Sequence, residues 1–169
     1  MARSFDMVAE YLGTVAQVHS AFCSKDYWLD RLAEGRADVA MLDSFAEDGQ
    51  GGTDITTTQT MRAAGLPSII TQFHFGDLSL VREEHWGPLT GGRAVGTVRS
   101  RVPGAPATIT GKGVLTSSGD GAQLDFSANV EVRIPLVGGK LEALLGQQLG
   151  YLIELERKFT NDWIAARGV

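Results

Sequence analysis

The chain has little cysteine, few prolines, no long apolar run and no block of like charge, and these shortages remove whole classes of protein. One cysteine, Cys23, stands among 169 residues. No disulfide can therefore close within the chain, and a small disulfide-stapled scaffold is excluded. Nowhere do the roughly 18 consecutive apolar residues of a membrane-crossing helix occur. The opening Met-Ala-Arg-Ser-Phe-Asp has no apolar stretch of the signal-peptide kind. A cytoplasmic protein without stable membrane insertion is expected. The 15 basic and 20 acidic side chains are interspersed and leave a net charge of -5. With no basic stripe to follow a phosphate backbone, nucleic acid is not an expected partner. His19, His74 and His85 show no helical i,i+4 spacing and no nearby cysteine pair, so neither a metal nor a cofactor is expected. Cys23 falls in the apolar part of a short helix, the setting of a core thiol, and a nucleophile there would need an activating base from elsewhere.

What the chain does have is 43% hydrophobic residues, enough at this length for one well-buried core and a single domain over residues 1–169. Alternation predicts a first strand from Ser4 to Tyr11. Thr14 is a candidate N-cap for a short helix carrying Val15, Val18, Ala21 and Phe22. A second short helix, from about Lys25 to Leu32, presents Trp28, Leu29 and Leu32 inward, with Gly35 as its expected C′ residue. Glycine-rich turns then mark out a meander with strands at Ala37–Glu47, Thr53–Arg62, Leu78–Trp86, Arg93–Val102, Thr108–Ser117 and Ala122–Ile134. Between the third and fourth strands, Gly65 to Phe75 reads as a short helical or looping excursion.

The last strand is the most regular. Ala122, Leu124, Phe126, Ala128, Val130, Val132 and Ile134 share one face, and polar residues hold the other, the pattern of an antiparallel sheet covered on one side. The cover is expected to be a C-terminal helix whose apolar stripe contains Leu141, Leu145, Leu149, Leu152, Ile153, Phe159 and Trp163, with Glu154 and Lys158 spaced for an i,i+4 pair. Pro135 withholds a donor and ends the ladder, and Gly138-Gly139 are expected to reverse the chain and to act as a hinge for the helix. Gly146 and Gly150 interrupt that helix at a cost of roughly 1 kcal/mol each.

The order strand, two short helices, six strands, long helix resembles the helix-grip fold of the START and birch-pollen-allergen (SRPBCC) superfamily over the whole chain. Arg3-Ser-Phe-Asp-Met7, the Phe22 to Trp28 helix pair, His85-Trp86 and Ile134-Pro-Leu-Val-Gly-Gly-Lys-Leu-Glu142 resemble, more narrowly, an actinobacterial family of that superfamily with no assigned function. The resemblance implies an α+β fold in which a seven-stranded curved antiparallel sheet wraps around a long C-terminal helix and encloses a cavity. Superfamily members include carriers, receptors, cyclases and hydrolases, so the fold alone does not give the activity.

Small residues at Ala94, Gly96, Val98, Ser100 and Val102, and the mixed face Ile55, Thr57, Gln59 and Met61, suggest an under-filled interior with polar walls. Trp28, Phe45, Phe73, Phe75, Trp86 and Phe126 would supply large apolar walls. With Thr57, Gln59, Met61, His85, Leu149 and Ile153, they form the expected ligand-binding set. The expected ligand is hydrophobic or amphipathic and lipid-, sterol- or polyketide-like, carried unchanged by a monomer or homodimer. Leu78–Trp86 concentrates the ionisable groups, and alternation sets Leu80, Arg82, Glu84 and Trp86 against Val81, Glu83 and His85. With Arg82 and Glu84 inside, a buried pair would be available to a polar head group. With His85 inside, beside Glu83 or Glu84, general acid–base catalysis of the cyclase or hydrolase kind becomes the alternative. A second alternative is a protein-interaction module presenting an exposed apolar patch.

Overall fold

The structure is a computed structural model that describes residues 2–74 and 76–167. Its elements run β1 (Arg3–Tyr11), α1 (Val15–Phe22), α2 (Lys25–Glu34), β2 (Val39–Glu47), β3 (Thr53–Met61), a 3-10 turn (Ala63–Gly65), α3 (Ser68–Thr71), β4 (Leu78–Trp86), β5 (Arg93–Arg101), β6 (Ala107–Ser118), β7 (Gly121–Val132) and α4 (Gly138–Arg167). The seven strands form one antiparallel sheet in the order β1-β7-β6-β5-β4-β3-β2. β1 closes onto β7 at one edge while the meander places β2 at the other. The curved sheet, the two short helices after β1 and the long C-terminal helix together make the helix-grip fold.

Local chemistry accounts for most boundaries. The Thr14 hydroxyl accepts from the Gln17 amide at 3.2 Å, and the Gln17 side chain accepts from the Thr14 amide at 2.8 Å, a complete capping box at the start of α1. Gly35 follows α2, but its φ of -66 is not left-handed, so the expected left-handed cap is absent. β7 ends at Val132, earlier than its apolar alternation suggests; past Val130, the last residue with a β1 partner, the Val132 amide donates to the Glu142 carboxylate at 2.9 Å instead. Glu142 lies on the first turns of α4 and is buried, so it ties the end of the sheet to the start of the helix.

The reversal between β7 and α4 also differs from expectation. The left-handed residue is Leu136, at φ 70 with its side chain fully exposed, and Gly138 and Gly139 are already helical. Gly138 is there because the Val132 carbonyl occupies the place a Cβ would take. Gly139 has room, the Arg3 guanidinium lying 3.6 Å from an added Cβ.

α4 packs on β1, β7 and α1. The Phe5 ring of β1 fills the space over Gly146, so that glycine permits close approach of helix and strand. Gly150, by contrast, is exposed and has nothing near it. The helix is more weakly amphipathic than its leucines suggest: Leu141 is buried, whereas Tyr151, Leu152 and Leu155 are exposed. Within the helix Glu154 pairs with Arg157 and Lys158 with Asp162, rather than Glu154 with Lys158. No described helix is long and apolar enough to cross a membrane.

Candidate functional site

The centre of the sheet's inner face is built by a row of four partners. Trp86 on β4 pairs with Gly96 on β5, Gly96 with Gly113 on β6, and Gly113 with Phe126 on β7. An added Cβ at Gly96 would stand 2.8 Å from the Trp86 indole, and one at Gly111 or Gly113 would meet the Phe126 ring or Leu124. The two aromatics therefore lie down over the glycines. Small residues on β5 and β6 thus do not leave the wide space expected from the sequence: aromatic side chains from the flanking strands fill it. Phe22 of α1 covers Trp86 with ring centroids 4.8 Å apart, and Tyr11 and Tyr27 meet Phe22 edge-on.

What remains open is a cavity of about 30 Å³ between these rings and α4, room for a water molecule or two. Tyr11, Phe22, Tyr27, Trp86, Phe126 and Ile153 provide most of its apolar wall, and Arg31, Arg82, Glu84, Glu156 and Thr160 its polar end.

That polar end is a four-charge cluster drawn from three elements. Arg82 Nη2 on β4 lies 2.9 Å from Glu84 Oε2, and Arg82 Nη1 donates to Glu156 Oε1 on α4 at 2.8 Å. Arg31 from α2 pairs with the same Glu156 oxygen. Trp86 Nε1 donates to Glu84 Oε1 at 2.8 Å. Tyr27 and Thr160 share a 2.8 Å hydroxyl contact, and the Thr160 hydroxyl donates back to the Glu156 carbonyl at 2.7 Å. The four charged side chains are only 10 to 20% exposed. Two buried positive and two buried negative charges balance, as the low local dielectric requires. Burial lowers the Arg82 pKa and the Glu84 charge opposes that shift. Burial also raises the Tyr11 pKa well above its ordinary value, with Tyr27 adding to the effect, so Tyr11 remains a neutral phenol. One donor of the cluster is spare: Arg82 Nε is buried and has no hydrogen-bond partner among the described residues.

Of the residues named from the sequence, Trp86, Phe126 and Ile153 line this cavity, and so does Glu84. The inward choice for Arg82 and Glu84 is the one the fold makes. It turns His85 outward, where Nδ1 meets Asp54 Oδ1 at 2.7 Å on the half-exposed outer face, and leaves Glu83 exposed. Glu84 points to the opposite side of the strand from His85, and Glu83 shares His85's outer face, away from the cavity, so the acid–base arrangement expected in the interior is not formed.

Trp28 is buried in the core, its indole donating to the Phe22 carbonyl at 2.8 Å while the Arg31 guanidinium sits 4.6 Å above its ring. Phe45 packs against the same core. Thr57 is buried opposite Arg82, and Gln59, Met61 and Leu149 are half-buried, all outside the cavity wall. Phe73 is exposed beyond α3, and Phe75 lies outside the described residues. Arg31, Glu156, Tyr11 and Tyr27 escaped the sequence reading. Glu156 did carry a signal, since it stands between Ile153 and Phe159 at helical spacing, a carboxylate inside an apolar stripe.

A second polar contact also escaped notice. His19 and Cys23 are one turn apart on α1, with Nε2 and Sγ separated by 3.6 Å, and the same Nε2 lies 2.8 Å from the Gly87 carbonyl. A carbonyl only accepts, so Nε2 carries the proton. Toward Cys23 the imidazole is therefore a donor and not a base. Among the described residues no cluster of three or more His, Cys, Asp or Glu is placed to hold a metal.

The sequence profile of the family described as "Protein of unknown function (DUF2505)" matches residues 6–164. The chain is 44% identical over 170 aligned positions to the Uncharacterized protein Rv0481c of Mycobacterium tuberculosis, covering 97% of this chain and 98% of that one. Among solved structures, TTHA0849 from Thermus thermophilus superposes with a TM-score of 0.64 at 15% identity, covering 99% of this chain and 100% of that one. A START superfamily protein from Mycobacterium smegmatis superposes with a TM-score of 0.57 at 12% identity, covering 95% and 98%. At these identities the structural likeness concerns the fold.

Proposed function

From the premise that the chain belongs to the DUF2505 family and has a START-like helix-grip fold, we propose that it binds and carries a small hydrophobic or amphipathic molecule without changing it. The ligand lies between the inner face of the sheet and α4, with its polar group at the Arg82–Glu84–Glu156–Arg31 cluster and its apolar body among Trp86, Phe126, Phe22 and Ile153. Lipid-, sterol- and polyketide-like compounds are the classes to test, and the carrier acts as one cytoplasmic domain. The observation that carries this reading is Arg82: a guanidinium held beside an interior cavity with a buried donor still unmatched. A buried donor edge that opens onto a cavity is a place where the polar group of a ligand, or water in its absence, is held.

A cavity of about 30 Å³ does not hold such a molecule as it stands. Occupancy requires α4 to move off the sheet, and the Glu156 bridge to β4 and α2 is the contact that must loosen. Affinity then comes from apolar burial at roughly 25 cal/mol per Å², less the cost of opening.

Native mass spectrometry of gently purified protein tests this directly. A copurifying small molecule is expected, with a gain in melting temperature when it is added back; ligand at 100 times Kd adds about 2.7 kcal/mol of stability. Protein that carries no small molecule, and whose melting temperature no member of a lipid-like library shifts, would overturn the reading.

A further inference from the structure

We infer that the polar group received by this interior is an uncharged hydroxyl, that of an alcohol or phenol, and not a carboxylate; the inference rests on the ligand-binding reading above and narrows it. Charge balance is the first reason. Arg31 and Arg82 are matched by Glu84 and Glu156, and the rest of the cavity wall contributes neutral side chains, Tyr11 held as the phenol by burial. A ligand that brings a net negative charge leaves that charge unmatched in a poorly solvated space, where an uncompensated ion is strongly disfavoured. A ligand cation meets the same objection with the sign reversed.

The second reason is the inventory of donors and acceptors. Arg82 Nη1 is used by Glu156 and Nη2 faces Glu84 Oε2 at 2.9 Å, while Nε has no acceptor among the described residues. Glu84 Oε1 is used by the Trp86 indole, but Oε2, although ion-paired, receives no aligned hydrogen bond. The Nε–H and one Nη–H of an arginine leave from the same edge of the planar guanidinium. The acceptor that Nε calls for and the aligned donor that Glu84 Oε2 calls for are thus neighbours. A hydroxyl fills both, accepting from Nε and donating to Oε2. A carboxylate accepts from Nε and then opposes Glu84. A ketone or ether satisfies Nε and leaves Oε2 bare. The aromatic wall formed by Tyr11, Phe22, Tyr27, Trp86 and Phe126 suits a flat body behind that hydroxyl.

The test compares three probes of one skeleton, 2-naphthol, 2-naphthoate and naphthalene, by calorimetry on the full chain at neutral pH, together with Glu84→Gln. The naphthol is expected to bind at least about tenfold more tightly than either of the others. Glu84→Gln removes one negative charge while the amide oxygen can still accept from the Trp86 indole, so the preference should move toward naphthoate by about tenfold or more. Naphthoate binding the wild-type chain as tightly as naphthol would overturn the hydroxyl assignment and leave the carrier reading standing. Naphthol binding no better than naphthalene would do the same. Binding of none of the three also overturns the assignment, and the carrier reading is then decided by the copurified ligand. If Glu84→Gln fails to fold, the ranking of the three probes on the wild-type chain decides by itself.

Discussion

At the scale of single residues, the interior is governed by charges that cannot be removed one at a time. Arg82 serves two carboxylates at once, so Arg82→Met leaves Glu84 and part of Glu156 without a counter-charge. It should cost about 2–4 kcal/mol at pH 7, a value reduced from that of a fully buried pair because the groups keep some solvent contact. Adding Glu84→Gln removes the stranded charge. Urea unfolding of both single variants and the double variant should therefore show a coupling of about 1–2 kcal/mol, and strict additivity would contradict the cluster as described. His19 supplies a pH-dependent component. Its hydrogen bond with the Cys23 thiol raises its pKa, burial opposes the shift, and the Gly87 carbonyl supports it. A raised value means that the folded state holds the proton more tightly. The contribution is complete below the ordinary histidine value of about 6.5 and is lost as pH rises through the higher folded-state value. The stability difference between wild type and His19→Gln should accordingly narrow as pH rises from about 5.5 to about 8.5, and a difference that widened over that range would refute the assignment.

Elements show why glycines in one helix have different meanings. Gly146 and Gly150 look alike in the sequence, four residues apart in a helix that a glycine weakens. Packing separates them: the Phe5 ring occupies the Cβ position of Gly146, and nothing approaches Gly150. Gly150→Ala should stabilise by about 0.5–1 kcal/mol through helix propensity. Gly146→Ala gains the same propensity but forces the Phe5 ring aside, and should destabilise by a net 1–2 kcal/mol or so. Thermal denaturation of the two variants reads the opposite signs, and equal shifts would mean that α4 does not approach β1 as described. Placement of elements was largely legible here. The capping box at Thr14, the meander and the inward face of β7 follow from spacing, because local chemistry and a solvated outer face both favour them. The β7–α4 connection was legible only in part. A left-handed Leu136 and a glycine crowded by the Val132 carbonyl depend on how closely two distant segments approach.

For the molecule as a whole, carrying a ligand requires the grip to open, and the hinge proposal must be tested where the fold allows it. Gly138 cannot accept a side chain without displacing the Val132 carbonyl, whereas Gly139 can. Gly139→Ala alone is therefore the informative variant. It should slow ligand exchange several-fold while leaving Kd within about twofold, since the α-helical conformation tolerates alanine and only flexing becomes costlier. Stopped-flow exchange with a fluorescent probe measures both quantities, and unchanged rates would remove the hinge. Conversely, Glu156→Gln weakens the bridge from α4 to Arg31 and Arg82 and should speed exchange.

The sequence by itself determined the order of the elements, the meander and the pairing of a half-solvated sheet with one long helix, because periodicity records which face of each element is buried; the helix-grip fold class was what the resemblance of that order and of the local motifs implied. It also narrowed β4 to two alternatives, Arg82 with Glu84 inside or His85 inside. Only the tertiary structure chose between them. It chose by bringing Glu156 of α4 and Arg31 of α2 to the same point, and a buried charge is tolerated only where its partners converge. The cavity was likewise decided in three dimensions: glycines on β5 and β6 read as empty space until the register set Trp86 and Phe126 over them.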